Sequence, residues 1–288
     1  MGGFFTALAK PASTSNDSDW GCWRPAVQGK HKDAVLLLSD IDGTLTGDND
    51  ALQKLNDHWL TDQLPRGRVI VYNIARPLHD YLSGLKQEPL CLPLLRPDVL
   101  IVGEGTQVWR FGKSGKAQLD MQWEAIVKKD WNLDRVKKAC TDWDDKLMDG
   151  INDSETRRFV VTVSGLDKAA AAAAALKQTL GDAYELVNQK SWKRKVRNIT
   201  VLPAAAGKGN AAEFVRQSLG VEKSRSVWAG DAMGDASMLN TELQGIVVGN
   251  ASAELLEKVK MHDRSNIYVA SAHNAAGVQE GLCHHHLA

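Results

Sequence analysis

Two aspartates with a spacing of two residues follow a short apolar run and offer nucleophilic and acid–base chemistry. Residues 35–38 are apolar, Asp40 and Asp42 follow them, and Gly43 comes next. In an extended chain, residues two positions apart point to the same side, so both carboxylates face one small volume. Two like charges held this close require a cation, or a proton on one of them. An ionised Asp beside a metal can act as a nucleophile, and a protonated neighbour can act as a general acid.

The simpler interpretation of this pattern is a loop with two solvated aspartates. The preceding apolar run favours a site instead, because a short apolar segment bounded by polar residues is typical of a buried parallel strand. Ligands of open α/β sheets bind just beyond the carboxyl ends of such strands. Gly43 allows the chain to turn directly after the pair. We therefore expect Asp40 and Asp42 to lie at the mouth of a binding site.

A lysine and a second pair of aspartates offer further chemistry later in the chain. Lys208 lies at the predicted start of a helix, where the helix dipole disfavours a cation, so the residue suits an anion ligand better than a plain surface position. Asp231 follows a predicted strand, and Asp235 lies four residues further on. Carboxylates in this arrangement can hold Mg²⁺ together with the first pair. The alternative role for Asp231 is that of a helix N-cap.

Strand and helix patterns alternate around these residues. Apolar runs predict strands at 68–73, 98–103, 225–230 and 266–270, and a strand and turn at 245–251. Helices are expected at 50–60, 78–85, 210–219 and 251–259. This alternation predicts an α/β fold with a doubly wound, Rossmann-like parallel sheet. Strand candidates at 157–164, 184–187 and 196–202 surround an Ala-rich helix at 167–180, and predict a smaller α+β unit inserted into the sheet domain.

Composition excludes several classes of protein. The chain has 288 residues with 35 basic and 35 acidic side chains, so nucleic acid is not the expected partner. Its four cysteines lie far apart without a C-x-x-C pair, which favours free thiols in a reducing compartment. No stretch approaches the roughly 20 apolar residues that cross a bilayer. We expect a cytoplasmic protein, with organelle targeting by the N-terminal residues as the alternative. The pattern makes no prediction of oligomeric state.

Three segments resemble, in order, the motifs of the haloacid dehalogenase superfamily of phosphatases. Asp40-Ile41-Asp42-Gly43-Thr44 resembles the first motif, Lys208-Gly209 the third, and residues 230–235 the fourth. The resemblance implies that Asp40 is the nucleophile, Asp42 the general acid and base, and Lys208 the partner of the phosphate and the nucleophile.

The same resemblance implies a Mg²⁺ site. Asp40, the backbone carbonyl of Asp42, and Asp231 would supply its protein ligands, and Asp235 would support them. Mg²⁺ prefers oxygen ligands, few carboxylates and several waters.

The second motif departs from the pattern of the superfamily. Matching Arg76 to the Arg of the usual Thr-Gly-Arg places Ile74 at the hydroxyl residue that binds the transferring phosphoryl group. The side-chain amide of Asn73 offers a substitute donor. Loss of one donor in a preorganised anion site costs about 3–4 kcal/mol in the transition state. The predicted substrate-binding residues are Thr44, Asn73, Arg76, Gly105, Thr106 and Asn250.

Residues 97–106, 203–209 and 247–283 are similar to segments of the sucrose-phosphate phosphatase-like family within this superfamily. The resemblance implies a cap domain that closes over the site and selects the leaving group. We predict an irregular arm at 1–33, a core domain at 34–103 and 203–288, and an inserted cap domain at 104–202.

The implied function is that of a Mg²⁺-dependent sugar-phosphate phosphatase that forms an aspartyl-phosphate, most similar to sucrose-6-phosphate phosphatases, with a small phosphosugar as its substrate. One alternative is a catalytically impaired protein that binds phosphosugars or regulates a partner enzyme, because Ile74 lacks the usual hydroxyl. The other is a phosphatase for a different small phosphate ester.

Overall fold

The computed structural model of the chain describes residues 34–87, 94–111, 116–143, 157–191, 196–262 and 265–288. The predicted irregular arm at 1–33 lies outside these ranges. The described residues form an α/β fold with two sheets, which confirms the predicted fold class. Within the described ranges, no helix is long and apolar enough to cross a bilayer.

The strands of the described chain are β1 (Leu36–Ser39), β2 (Val69–Asn73), β3 (Val99–Val102), β4 (Gln107–Phe111), β5 (Ala117–Leu119), β6 (Phe159–Val163), β7 (Tyr184–Lys190), β8 (Arg197–Pro203), β9 (Ser226–Gly230), β10 (Gln244–Val247) and β11 (Ile267–Val269). The α-helices are α1 (Asn49–His58), α2 (Leu78–Gln87), α3 (Met121–Lys128), α4 (Leu133–Cys140), α5 (Leu166–Leu180), α6 (Lys208–Leu219), α7 (Ala253–His262) and α8 (Asn274–His284). A 3₁₀-helix spans Met233–Thr241.

The larger sheet has eight strands in the order β11-β10-β9-β1-β2-β3-β4-β5. Neighbouring strands from β11 to β3 are parallel, and β4 and β5 continue the sheet in antiparallel pairs. Chain order runs in opposite directions on the two sides of β1, so the carboxyl end of β1 is a topological switch point, where ligands bind in open α/β sheets.

Helices cover both faces of this sheet because its central strands are apolar on both sides. Leu37 of β1 packs in one cluster with apolar residues of α1 and α8, whereas Leu36 and Leu38 pack in a second cluster with those of α6. All three leucines are almost completely buried. Such continuous apolar runs are typical of parallel strands that are covered on both faces. The doubly wound arrangement therefore follows directly from the sequence of β1.

The smaller sheet has three antiparallel strands in the order β6-β8-β7, and α4 and α5 pack on it. Helix α5 buries Ala169, Ala172 and Leu176, which lie at helical spacing on one face. These side chains form a third apolar cluster with Val161 and Ile199 of the strands. The predicted Ala-rich helix and its flanking strands are therefore confirmed.

The predicted start of the inserted domain at residue 104 does not coincide with the start of the smaller sheet. Strands β4 and β5 extend the larger sheet, and Trp123 of α3 packs in the cluster beneath it. The first element of the third apolar cluster is α4. The described residues 104–111 and 116–128 therefore belong with the larger sheet by their pairing and packing, and the cap domain at 104–202 stays a prediction.

A tight turn after β3 packs against the segment before α6. Gly105 has a φ of +83°, and a methyl group at this position would overlap with the carbonyl group of Gly207. Gly207 in turn precedes Lys208, the first residue of α6. The close approach of these two glycines thus fixes where α6 begins.

We predict that Gly105→Ala destabilises the protein more than Gly165→Ala. Both glycines have a positive φ, but an added methyl group at Gly165 meets no atom within 4 Å. The change at Gly165 should cost only the backbone strain, about 1–3 kcal/mol. The change at Gly105 adds a steric overlap with backbone. Urea unfolding of the two variants measures the difference, and equal free energies of unfolding would contradict this packing.

Candidate active site

The carboxyl end of the larger sheet brings two predicted motifs together. Strands β1 and β9 are neighbours, and they end directly before Asp40 and Asp231. The N–H of Asp40 donates to the carbonyl of Ala229 at 3.0 Å, which continues the pairing past the end of β1. Oxygen atoms of Asp40, Asp231 and Asp235 all lie within 4.8 Å of one another. We call these three residues the acidic cluster.

Lys208 is buried and pairs with two members of the acidic cluster. Its Nζ lies 3.0 Å from Asp40 Oδ1 and 2.8 Å from Asp235 Oδ1, and the residue is only 2% exposed. Burial alone would lower the pKa of Lys208, but the carboxylates of Asp235, Asp40 and Glu104 raise that pKa well above its ordinary value. The lysine therefore stays charged and presents a fixed cation beside Asp40.

The negative charge of the cluster exceeds what Lys208 balances. Burial raises the pKa of Asp40 well above its ordinary value, Lys208 opposes this shift, and Asp235, Asp231 and Asp42 add to it. Like charges at this separation favour a bound proton or a bound cation. The cluster thus provides the condition for metal binding as well as the ligands.

Asp231 is held by the turn that follows β1. Thr44 donates its hydroxyl to Asp231 Oδ1 at 2.9 Å. Gly43 has a φ of +83°, and a Cβ atom there would lie 2.6 Å from Asp231 Oδ2, so the turn requires glycine. Burial, together with Asp235, raises the pKa of Asp231 to about 6, although the Thr44 bond lowers it. Thr44, predicted to bind substrate, is fully buried and binds Asp231.

Asp235 has protein partners for both of its oxygens. Oδ1 accepts from Lys208 Nζ at 2.8 Å, and Oδ2 accepts from the N–H groups of Asp231 at 3.1 Å and Ala232 at 3.2 Å. Asp235 is therefore placed to fix Lys208 and the loop after β9. Asp40 and Asp231 are the members of the cluster that are better placed to bind a metal directly.

Asp42 lies at the mouth of the site, in contrast to Asp40. The Asp42 side chain is 48% exposed, whereas Asp40 is 8% exposed. Arg76 Nη2 lies 2.5 Å from Asp42 Oδ1. Substrate and water can therefore reach Asp42, which a residue that transfers protons to both requires.

Asn73 and Ile74 of the second motif are both buried. Ile74 is 1% exposed and packs in the apolar cluster around Leu37. Asn73 donates its side-chain amide to the carbonyl of Lys208 at 3.0 Å. This bond gives Asn73 a role in positioning the start of α6. A contact between Asn73 and phosphate stays a prediction.

Three other predicted substrate-binding residues contact the backbone around the site. Asn250 donates to the carbonyl of Gly43 at 2.8 Å, and Thr106 donates to the carbonyl of Gly103 at 2.8 Å. The carbonyl of Gly105 accepts from Trp123 Nε1 at 3.0 Å. These contacts stabilise the turns after β1 and β3, and direct contacts of these residues with substrate stay predictions.

Sequence reasoning missed Asn274, which holds the turn after β1 from the other side. Its side-chain amide donates to the carbonyls of Gly43 and Thr46, both at 2.7 Å. Its N–H donates to Asn250 Oδ1 at 2.8 Å. The only signal in the sequence was an Asn at the start of a helix, which indicates a local cap rather than a bond to a turn more than 200 residues away.

Sequence reasoning also missed Glu104, which links the smaller sheet to Lys208. Glu104 is buried and accepts a bond from Gln189 Nε2 of β7 at 3.2 Å. Burial raises the pKa of Glu104, while Lys208 and Arg158 lower it. Arg158 itself donates to the carbonyl of Ala75 in the second motif. Residues next to the smaller sheet thus reach both the lysine and the second motif.

A third link joins the smaller sheet to α7. Arg197 of β8 pairs with Glu254 through two hydrogen bonds, of 2.7 and 3.1 Å. Arg197 also donates to Asn188 Oδ1 of β7 at 2.8 Å. The smaller sheet is therefore attached to the larger one by polar contacts at several points around the acidic cluster.

The fold is that of haloacid dehalogenase-like hydrolases of known structure. A haloacid dehalogenase-like hydrolase of Bacillus subtilis superposes with a TM-score of 0.65 at 14% identity, covering 93% of this chain and 96% of that one. The sucrose-phosphatase of Synechocystis, solved with sucrose and phosphate, superposes with a TM-score of 0.75 at 23% identity, covering 88% of this chain and 98% of that one.

More particularly, the chain belongs to the sucrose-6F-phosphate phosphohydrolase family, whose model matches residues 33–286. It is 29% identical to the mannosylfructose-phosphate phosphatase of Agrobacterium fabrum over 86% of this chain and 96% of the relative. It is 25% identical to probable sucrose-phosphatase 1 of Arabidopsis thaliana over 87% of this chain, and the match spans 59% of that relative's length.

We predict that Mg²⁺ stabilises the metal-depleted protein at pH 7.5 and much less at pH 5. Asp231 has a folded-state pKa of about 6, above its ordinary value of 3.8. Without a cation, its ionisation opposes folding above pH 6, and this cost shrinks as the pH falls from 6 towards 3.8 and the folded-state group binds a proton. Mg²⁺ at about 100 times its dissociation constant should add about 2.7 kcal/mol at pH 7.5.

Thermal unfolding with and without Mg²⁺ at the two pH values measures this effect. Asp231→Asn is the matched variant, because it removes one charge and keeps the shape, and its unfolding should respond weakly to Mg²⁺ at both pH values. An equal Mg²⁺ effect at pH 5 and pH 7.5 would contradict the assignment.

Proposed function

We propose that the protein is a Mg²⁺-dependent phosphatase for the phosphate ester of a fructose-containing disaccharide, of the sucrose 6F-phosphate type. Family membership and the names of the relatives support the phosphosugar class. The observation that carries the proposal is the buried Lys208 between Asp40 and Asp235, because it holds a fixed positive charge beside the Asp that follows the switch-point strand β1. Phosphoryl transfer depends mainly on such positioning and charge.

Asp40 acts as the nucleophile. Its carboxylate attacks phosphorus, the ester bond to the sugar breaks, and an aspartyl-phosphate forms. Lys208 lies 3.0 Å from Asp40. Its positive charge can neutralise charge on the phosphoryl oxygens while the phosphoryl group is transferred to Asp40. The hydrogen bond from Asp40 N–H to Ala229 keeps the nucleophile in place during both steps.

Asp42 acts as the general acid and then as the general base. It gives a proton to the departing sugar oxygen and later takes one from the water that hydrolyses the aspartyl-phosphate. Arg76 lies 2.5 Å from Asp42 and orients it. Its partial exposure allows the sugar to leave and water to enter.

The acidic cluster fits Mg²⁺ because its donors are all carboxylate oxygens. Asp40 and Asp231 would hold the ion, together with the backbone carbonyl of Asp42. Asp235 would keep the ligating residues in position. When bound, Mg²⁺ offsets the negative charge of the phosphate and the carboxylates.

The smaller sheet with α4 and α5 acts as the cap in this proposal. Its hydrogen bonds to Glu104, Ala75 and Glu254 support this role, because they join it to the turn after β3, to the second motif and to α7, and a cap held there can exclude bulk water. We expect the whole protein to be located in the cytoplasm.

Phosphate release from a panel of esters tests the proposal. The panel contains sucrose 6F-phosphate, mannosylfructose phosphate, fructose 6-phosphate and glucose 6-phosphate, each with Mg²⁺ and with EDTA. We expect Mg²⁺-dependent release with the highest kcat/KM for one of the two disaccharide phosphates. Faster hydrolysis of a monosaccharide phosphate would support the proposed reaction but contradict the proposed disaccharide substrate.

We predict that Asp40→Asn lowers kcat by at least about 1,000-fold, because a carboxamide cannot act as the nucleophile. Asp50→Asn is the matched control, since it makes the same change at an exposed position of α1 and should leave kcat unchanged. Circular dichroism checks that both variants are folded. Retention of most activity by Asp40→Asn would exclude this nucleophile.

The buried Ile74 favours one second candidate, a phosphosugar-binding protein with negligible turnover. Ile74 presents no hydroxyl where the superfamily uses one, and it is 1% exposed. This candidate predicts binding of sucrose 6F-phosphate without phosphate release. Ile74→Thr should then raise turnover. Hydrolysis of sucrose 6F-phosphate by the unmodified protein would exclude this second candidate.

A further inference from the structure

A pocket lies beside Asp42 and is lined only by residues between 41 and 94, so none of its described walls comes from the smaller sheet. Its volume is about 350 Å³. This value lies at the lower end of the roughly 300–1,000 Å³ that small-molecule sites occupy, and suits one ring rather than a whole disaccharide. The pocket borders the proposed general acid but contains no member of the acidic cluster.

The walls of the pocket combine apolar and polar groups. Ile41, Ile74 and Leu94 are buried apolar residues, and Asp42, Arg76 and Tyr81 provide the polar side. The charge of Arg76 is already paired with Asp42 at 2.5 Å. The described lining residues therefore offer no free cation for a second phosphate, and the pocket is better suited to a neutral ring with hydroxyl groups.

Tyr81 provides a buried hydroxyl that lacks a partner. Tyr81 is 4% exposed, and its hydroxyl makes no hydrogen bond with the residues that the structure describes. Burial raises the pKa of Tyr81, so the group stays a neutral donor at physiological pH. Buried hydroxyl groups are normally hydrogen-bonded, which makes this one a candidate partner for a ligand hydroxyl.

Gly84 on α2 makes room for Arg76. A Cβ atom at Gly84 would lie 2.9 Å from Arg76 Nη1. The missing side chain thus allows the guanidinium to lie along α2 while it reaches Asp42. A larger side chain at position 84 would therefore press on the guanidinium of Arg76 and reach the wall of the pocket.

We propose that this pocket is a subsite for the sugar ring attached to the ester oxygen, and that Tyr81 and Arg76 bind hydroxyl groups of that ring. The inference rests on the proposed phosphatase function and assigns part of its specificity to the larger sheet rather than to the cap. The proposed subsite also explains an apolar side chain at position 74, because Ile74 forms the wall on which the C–H face of the sugar packs.

The test compares a sugar phosphate with acetyl phosphate, which carries a phosphoryl group but no sugar. The measured quantity is the ratio of kcat/KM for the best-hydrolysed panel member to kcat/KM for acetyl phosphate. Tyr81→Phe should lower this ratio about fivefold, the value of one neutral hydrogen bond. Gly84→Leu should lower it more, because leucine is a good helix former whose side chain narrows the pocket and displaces Arg76.

Tyr184→Phe is the matched control, since Tyr184 is buried against Trp131 in the cluster of the smaller sheet. It removes the same group far from the pocket and should leave the ratio unchanged. A ratio that is also unchanged in Tyr81→Phe and Gly84→Leu would overturn the subsite. An equal loss of kcat/KM for both substrates would do the same, because it indicates damage to the phosphoryl-transfer site.

A binding arm separates failure of the subsite from failure of the proposed function. If the unmodified protein hydrolyses none of the esters, the phosphatase proposal fails, and calorimetric titration with sucrose then tests the subsite alone. Sucrose should bind the unmodified protein and bind Tyr81→Phe about fivefold more weakly. Equal affinities, or no binding to the unmodified protein, would overturn the subsite.

Discussion

The balance of charge around the buried Lys208 is the constraint on which the structure of the site depends. Removing a charged group from water costs several kcal/mol, and this cost is recovered only when partners are held at short distance. Lys208 meets Asp40 after β1 and Asp235 after β9, so two neighbouring strands and α6 must keep a common register. Removing one partner would leave a buried charge uncompensated, which typically costs about 3–5 kcal/mol.

Several polar contacts serve this balance without joining the chemistry. Asn73 binds the carbonyl of Lys208, and the turn at Gly105 packs against Gly207, the residue before Lys208. Asn250 and Asn274 both bind the carbonyl of Gly43, the turn residue that lies against Asp231. Because each contact joins a loop to a different part of the sheet, the loops at the carboxyl end form one connected network. Preorganisation of this kind is what electrostatic catalysis requires.

The parts of the structure that could be predicted from sequence are those set by local patterns. The apolar run before Asp40 and the Ala-rich run of α5 each contain their own signal, and both elements form where expected. The order of the motifs predicts one site for Asp40, Lys208 and Asp231, and the structure brings these side chains together. Strands β4 and β5 were missed because neither is a continuous apolar run. Trp109 and Arg110 of β4 are half-buried, and β5 is a three-residue strand at the edge of the sheet.

The contacts of Thr44 and Glu104 could not be predicted because they join residues far apart in the chain. Thr44 binds Asp231, 187 positions away, and Glu104 binds Gln189, 85 positions away. Thr44 is predicted from the sequence to bind substrate, whereas in the structure its hydroxyl donates to the carboxylate of Asp231. Glu104 follows β3 in a short turn, where an isolated carboxylate gives no indication of burial.

The apolar cluster of the smaller sheet shares no residue with the two clusters of the larger one. Side chains of that cluster can therefore change without altering the two clusters around β1. Leu202 of β8, in contrast, is buried in the cluster of Leu36 and Leu38, so β8 ties the smaller sheet to the larger one by packing as well as by polar links such as Arg197 to Glu254. Sequence change inside the smaller sheet is thus uncoupled from the residues around Asp40, so that its interior can drift in evolution while the acidic cluster is passed on intact.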